Sequence, residues 1–118
     1  MKKKQYFVLY MAPIEEFQKL MAEMADASPE EQKASMADWN DWIQMHKKEL
    51  IDAGKPLGKT KRVTDGSVTD FQNDIGGYSI VQAESHEEAA ELFSASHPHF
   101  KIPGAWIDVM EIMDMPGM

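Results

Sequence analysis

The sequence contains no cysteine. Disulfide bonds, zinc ribbons, iron–sulfur clusters and thiol catalysis are therefore excluded. It also lacks any apolar run close to the ~20 residues that a membrane-spanning helix needs, so we expect no membrane partner. A phosphate-binding glycine loop, a Gly-x-Ser-x-Gly nucleophile elbow and a His-Glu-x-x-His zinc motif are missing as well. None of these common signatures of enzymes and nucleotide-binding proteins applies.

The N-terminus also lacks the features of a secretory signal. Three lysines precede a short apolar run, which is too short for the hydrophobic region of a signal peptide and has no small-residue cleavage site after it. We therefore expect a cytoplasmic protein. The 118 residues suit a single domain, residues 1–118, which is large enough to bury about two thirds of its unfolded surface.

Basic residues are scarce in the second half of the chain. The net charge is −8, but residues 1–62 hold eleven basic and ten acidic side chains, whereas residues 63–118 hold ten acidic side chains and only Lys101 as a cation. An acidic chain repels phosphate backbones, so we expect no nucleic-acid partner. The basic cluster in residues 55–62 has two interpretations, a site for a small anion or a solvated loop.

The first predicted strand is Tyr6–Met11, a short run rich in aromatic residues. Both of its faces are apolar, with Tyr6, Val8 and Tyr10 on one and Phe7, Leu9 and Met11 on the other. A strand with one face in water would alternate with polar residues, so this strand requires cover on both sides.

Two helices are predicted next. After Pro13, apolar residues recur at spacings of three and four over residues 14–24, which predicts an amphipathic helix. Ser28 followed by Pro29 and Glu31 is an N-terminal capping pattern, and the apolar stripe behind it predicts a long helix over residues 29–53.

The second half predicts a hairpin, a strand, a helix and a last strand. Asp65-Gly66 is a tight turn between two β-prone segments, and Tyr78–Ala83 is a strand. Ser85 caps a third helix, which we expect to end at His97-Pro98, and residues 106–113 form the last strand. This order is an α+β split β-α-β arrangement, a ferredoxin-like antiparallel sheet with its helices on one face.

Helices on one face leave the other apolar face of the sheet uncovered. In a chain this small, a second copy of the same chain is the simplest cover. We therefore predict a homodimer through the open sheet face, with the two sheets forming a dimeric α/β barrel.

Several segments together resemble the YCII-related family, in particular its DGPF-type branch. They span about residues 5–114 and are residues 28–31, 36–42, 54–58, 65–70, 75–83 and 106–112. The resemblance implies a dimeric α/β barrel of ferredoxin-like protomers whose biochemical function is largely unassigned. Some members carry a His–Asp pair, but Asp41 or Trp42 stands at that histidine position here. The Asp-Gly-Pro-Phe motif is also absent, since Asp70 is followed by Phe71-Gln72-Asn73.

Asp108 and the two loop histidines are the candidate catalytic residues. Asp108 interrupts an apolar strand face, so it either forms a polar site with tyrosines or Gln82 across the sheet or faces water on an edge strand. His97 and His99 lie two residues apart in a predicted loop, where they could move protons, although surface histidines of a loop are the simpler interpretation. Two histidines without a third ligand do not predict a metal site.

The candidate ligand-binding residues are aromatic or polar side chains on predicted strands, on the long helix or in the hairpin. Trp39 and Trp42 lie on or beside the apolar stripe of the helix, where they pack in the core or form an aromatic wall if a pocket opens there. His46 lies in the same stripe, either as a hydrogen-bonded histidine at the edge of the core or with a catalytic role. The complete set is Tyr10, Trp39, Trp42, His46, Asp70, Tyr78 and Trp106.

Two functional hypotheses follow. The first is a small-molecule-binding homodimer of unassigned biochemical role, with no cofactor. The second is a cofactor-free enzyme that performs isomerase-type or lyase-type proton transfer on a small organic substrate, for which the fold is only an analogy. The two hypotheses differ in whether Asp108, Tyr78 and the loop histidines surround one cavity.

Overall fold

The computed structural model describes residues 3–94 and 97–116 of the chain. A four-stranded antiparallel sheet has the order β2-β5-β1-β6, and β3 and β4 form a separate two-stranded hairpin. The elements are β1 (Lys4–Met11), α1 (Ile14–Asp26), α2 (Pro29–Met45), β2 (Leu50–Asp52), β3 (Thr60–Thr64), β4 (Ser67–Phe71), β5 (Ile75–Ala83), α3 (His86–Glu91), a 3₁₀ turn (Pro98–Lys101) and β6 (Trp106–Glu111). This is the predicted α+β class, with the strand order of a split β-α-β sheet.

Local signals in the sequence place several element boundaries. The Ser28 hydroxyl accepts a hydrogen bond from the backbone N–H of Glu31, and Ser85 does the same for Glu88, so both predicted helix caps are confirmed. Gly66 adopts a φ of 90° in the hairpin turn, a conformation that a residue with a side chain rarely adopts. The predicted tight turn at Asp65-Gly66 is confirmed too.

The core lies between the sheet and its helices. Tyr6, Val8 and Tyr10 of β1 are buried on this side, together with Val81 of β5 and Trp42 of α2. Ala83, Ala89 and Phe93 complete the buried cluster. Alternation along β1 thus sends one set of side chains under the helices, as the two-faced pattern predicts.

No helix of the described residues lies over the opposite side of the sheet, which we call the open face. The antiparallel registers align Phe7 with Ile80 and Met110, and they align Leu9 with Tyr78 and Asp108, so that both rows lie on this side. Trp106 and Ile112 extend the surface along its edge. The open face is therefore mostly apolar, with Asp108 as an acidic residue within it.

The second helix is shorter than predicted. It ends at Met45 rather than at residue 53, and Leu50–Asp52 leaves the helix to pair with β5 as an edge strand. Leu50 fits the helical spacing of the stripe, but pairing with Val81 satisfies its backbone and partly buries its side chain. The third helix is shorter as well, since it ends at Glu91, well before His97-Pro98. None of the helices in the described ranges is both long and apolar enough to cross a bilayer.

Candidate functional site: the His97 cluster

His97 lies inside a group of aromatic rings on the helix side of the sheet, and we call this group the His97 cluster. The imidazole stacks on Tyr10 with ring centroids 5.4 Å apart. Trp39 and Trp42 meet it edge to face, at 4.8 and 4.6 Å. Phe93 closes the cluster at 5.6 Å. Only 2% of His97 is exposed, so a polar ring is enclosed by apolar surfaces.

Three elements bring these side chains together. Tyr10 lies near the end of β1, and Trp39 and Trp42 are three residues apart on one side of α2. His97 directly precedes the 3₁₀ turn Pro98–Lys101 and caps its N-terminus. Its Nδ1 accepts a hydrogen bond from the backbone N–H of His99 at 3.0 Å. The turn therefore fixes the orientation of the imidazole from within its own loop.

The hydrogen bond at Nδ1 determines the tautomer of His97. Because Nδ1 is an acceptor, the neutral ring carries its proton on Nε2. Within the described residues, this Nε2 has no hydrogen-bond partner, and neither does Nε1 of Trp42, although both atoms are buried. Leaving a buried donor unsatisfied costs roughly 1–3 kcal/mol. These two donors, on rings in edge-to-face contact, are hydrogen-bonding capacity that the cluster leaves unused.

The neighbouring polar groups are already satisfied. His99, which is also 2% exposed, has its Nε2 at 2.7 Å from the carbonyl oxygen of Met11. The Ser79 hydroxyl donates to the Ala53 carbonyl at 2.7 Å, so it is the Tyr10 hydroxyl that donates to Ser79, at 2.8 Å. Among the described residues, Trp42 and His97 therefore carry the buried side-chain donors that lack a partner, while the polar groups beside them are hydrogen-bonded.

Burial keeps the His97 cluster uncharged at neutral pH. It lowers the pKa of His97 to about 4, and the nearby imidazoles of His99 and His46 act in the same direction. Burial also lowers the pKa of His99, against the opposing effect of the backbone carbonyls of Met11 and Trp106. The pKa of Tyr10 is raised by burial to about 12, although its bond to Ser79 opposes the change. These groups are therefore suited to hydrogen bonding at pH 7.

His46 connects the cluster to the surface. Its ring lies 4.7 Å from that of Trp42, and it also lines a pocket of about 400 Å³ between β5, α3 and the loop after α2. The lysine and glutamates that line this pocket are Lys3, Glu49, Glu84, Glu88 and Glu91. The surface beside the cluster is therefore acidic and disfavours anions.

No model of a known protein family matches the chain. No curated protein matches it either. The site is therefore interpreted from its own residues.

The structure brings six of the ten predicted site residues together. They are Tyr10, Trp39, Trp42, His46, His97 and His99. The interpretation of the two loop histidines as surface residues is wrong, because Trp39 and Trp42 of α2 and Tyr10 of β1 cover their loop. No three His, Asp or Glu side chains of the described residues form a group that could hold a metal ion.

The remaining four predicted residues lie elsewhere. Tyr78, Trp106 and Asp108 are on the open face, on the other side of the sheet from His97. Asp108 is exposed on the edge strand β6, and Leu9 separates it from Tyr78, so the alternative in which it faces solvent fits this chain. Asp70 lies on the hairpin and forms an ion pair with Lys61.

Ser79 and Phe93 belong to the site and were missed by sequence reasoning. The sequence offered a signal for Ser79, because side chains alternate along β5 and this small polar residue falls on the side that the helices cover. Phe93 appears in the sequence only as part of the apolar side of a helix.

Proposed function

We propose that this protein is a homodimer that binds a small molecule, and that the ligand accepts hydrogen bonds from Trp42 and His97. The observation that carries the proposal is the pair of buried N–H donors without an acceptor. Small-molecule sites commonly combine apolar and aromatic walls with a few polar groups that fix orientation. The His97 cluster has this composition.

The chemistry of the cluster limits the class of ligand. Both unsatisfied groups are donors, so the ligand supplies an acceptor such as a carbonyl oxygen. Aromatic rings surround that position and favour a flat or apolar body. Glu49, Glu84, Glu88 and Glu91 near His46 disfavour an anion. A neutral or cationic molecule that bears a carbonyl group fits these three conditions.

The open face supports the homodimer. Trp106, Met110 and Ile112 are 37%, 40% and 42% exposed in the single chain, on the side that no helix covers. The chain is also flat, with extents of 48 × 45 × 22 Å, close to the thickness of one sheet and one helix layer. A second copy packed on this face would form a dimeric α/β barrel. Membership of the YCII-related family, which the sequence resembles, and a cytoplasmic location are part of this proposal.

The enzyme alternative has less support. It required Asp108 and Tyr78 to meet the loop histidines around one cavity, and these groups lie on opposite sides of the sheet. At neutral pH the lowered pKa of His97 leaves it a hydrogen-bond donor rather than an acid.

A crystal structure and a native mass spectrum of protein purified without added ligand test the proposed function. We expect a non-protein oxygen atom within hydrogen-bond distance of Trp42 Nε1 and His97 Nε2, and a corresponding excess mass. Trp42→Phe keeps the ring but removes the donor, so this variant should lose the excess mass. Trp106→Phe, on the open face, is the matched control and should keep it. A lone water molecule or a protein acceptor at both nitrogens would refute ligand binding at this site.

A further inference from the structure

A second cavity lies outside the His97 cluster, between α1 and the β3–β4 hairpin. It is a groove of about 840 Å³. Ile14 and Met21 of α1 form one wall, Leu57 and Ile75 line the groove near the start of β5, and Phe71 belongs to the hairpin wall. Its volume falls within the range of small-molecule sites, about 300–1,000 Å³.

The groove explains an unusual property of α1. This helix is amphipathic, yet none of its residues is buried. Ile14, Gln18 and Met21 follow the spacing of one helix face and line the groove. Part of the apolar stripe of α1 thus borders the groove rather than the core.

The charged residues that line the groove are Lys59, Lys61 and Asp70, so its lining carries a net positive charge although the protein is acidic. Residues 55–62 contain four lysines or arginines and no acid. Lys61 is paired with Asp70, and the Arg62 guanidinium lies 3.4 Å from the centre of the Phe71 ring. Lys59 lines the groove and has no carboxylate within 4 Å among the residues that the structure describes. Lys59 is thus available to an external anion.

We propose that this groove binds an organic carboxylate with an apolar body, with the carboxylate at Lys59 and the body against Ile14, Met21 and Leu57. Asn73 is held in place at the groove, because its amide donates one hydrogen bond to the Thr60 hydroxyl and accepts one from the backbone N–H of Ile75. Charge complementarity favours this ligand over the neutral or cationic molecule proposed for the His97 cluster. The inference does not depend on the proposed function.

Equilibrium dialysis with 2-naphthoate tests this site, with 2-naphthalenemethanol as the uncharged probe of the same size. We expect one 2-naphthoate per chain and at least tenfold weaker binding of the alcohol. Lys59→Gln should weaken 2-naphthoate binding at least fivefold. Lys33→Gln, an equivalent change on the exposed side of α2, should leave it unchanged.

Two further outcomes make the result decisive. Equal binding of the two probes, or equal binding to the Lys59→Gln and Lys33→Gln variants, would overturn the proposal. If 2-naphthoate does not bind and Met21→Lys lowers the oligomeric mass, the groove is a contact between copies and the proposal is wrong. Trp42→Phe should not change 2-naphthoate binding, which separates this site from the His97 cluster.

Discussion

At the scale of single residues, His97 combines a fixed tautomer with an apolar enclosure. The backbone N–H of His99 occupies Nδ1, and the rings of Tyr10, Trp39 and Trp42 surround the imidazole. Protonation of Nδ1 would remove this acceptor and put a charge among apolar groups. The stability of the protein should therefore depend on pH through this residue.

We predict that the free energy of unfolding falls as the pH falls from about 6.5 towards 4. The unfolded chain binds a proton at a histidine pKa of about 6.5, whereas the folded pKa of His97 is about 4. Between these values the unfolded state holds more protons, so acid favours unfolding. Above about pH 6.5 both states are neutral, and the effect disappears. A pKa difference of this size corresponds to a loss on the order of 3 kcal/mol.

Urea denaturation at a series of pH values and a fixed chain concentration measures this effect. His97→Gln removes the titrating group but keeps a polar side chain, and it should flatten part of the pH dependence. His99, whose pKa burial also lowers, should account for a further part. An identical slope for this variant and the wild type would refute the prediction.

Sequence reasoning identified His97, His99 and the two tryptophans but could not determine their burial. A His-Pro-His segment is typical of an exposed loop, and the residues that cover it are far away in the chain, at Tyr10, Trp39 and Trp42. Asp108 shows the converse, since alternation determined the face of its side chain but not whether that face meets solvent. Local sequence patterns predict which side of an element a side chain lies on, whereas contacts between distant segments determine whether that side chain is buried.

At the scale of elements, the end of α2 and the start of β2 show the same limit. The spacing of Trp39, Ile43 and Leu50 is helical, so the sequence favours one helix through all three. In the structure the chain turns after Met45, and Leu50–Asp52 pairs with β5. Caps and turns encoded by neighbouring residues were predictable, whereas an edge strand of three residues depends on its partner.

Gly54 shows how closely the chain passes β5 after this short strand. It has a φ of 81°, and a Cβ atom there would lie 1.5 Å from the carbonyl oxygen of Tyr78. We predict that Gly54→Ala destabilises the protein by more than about 3 kcal/mol, because the side chain would collide with backbone in addition to the strain of a positive φ. Urea unfolding would measure the loss.

Gly66 is the matched control for this substitution. Its φ is 90°, but apart from its two chain neighbours no described residue has an atom within 4 Å of an added Cβ. Gly66→Ala should therefore cost only the conformational strain, about 1–2 kcal/mol. Equal losses for the two variants would show that the close approach at Gly54 contributes nothing.

At the scale of the whole molecule, the uncovered side of the sheet determines the expected assembly. The α+β class followed from the order of the predicted strands and helices, although the edge strand β2 of the sheet was predicted as helix. The two-faced pattern of β1 indicated a surface without a helix. Periodicity within one chain does not show which partner covers that surface. The mass of the protein in solution therefore tests whether the partner is a second copy.

We predict that light scattering after size-exclusion chromatography gives twice the 13.4 kDa mass of one chain at micromolar concentration. Trp106→Glu combined with Met110→Lys should shift the mass towards one chain, because both side chains lie on the open face. Met45→Lys changes an exposed methionine at the end of α2 and serves as the control, which should leave the mass unchanged. A one-chain mass for the wild type would refute the dimer.

The β3–β4 hairpin forms its ladder only between its own two strands. Adding or deleting a cross-strand pair at its tip would consequently leave the register of the larger sheet intact. The groove beside α1 would also keep its lining, because it is bordered by the pairs at the base of the hairpin, Thr60 with Phe71 and Lys61 with Asp70. The length of the hairpin tip can therefore vary between related sequences without disturbing either the groove or the rest of the domain.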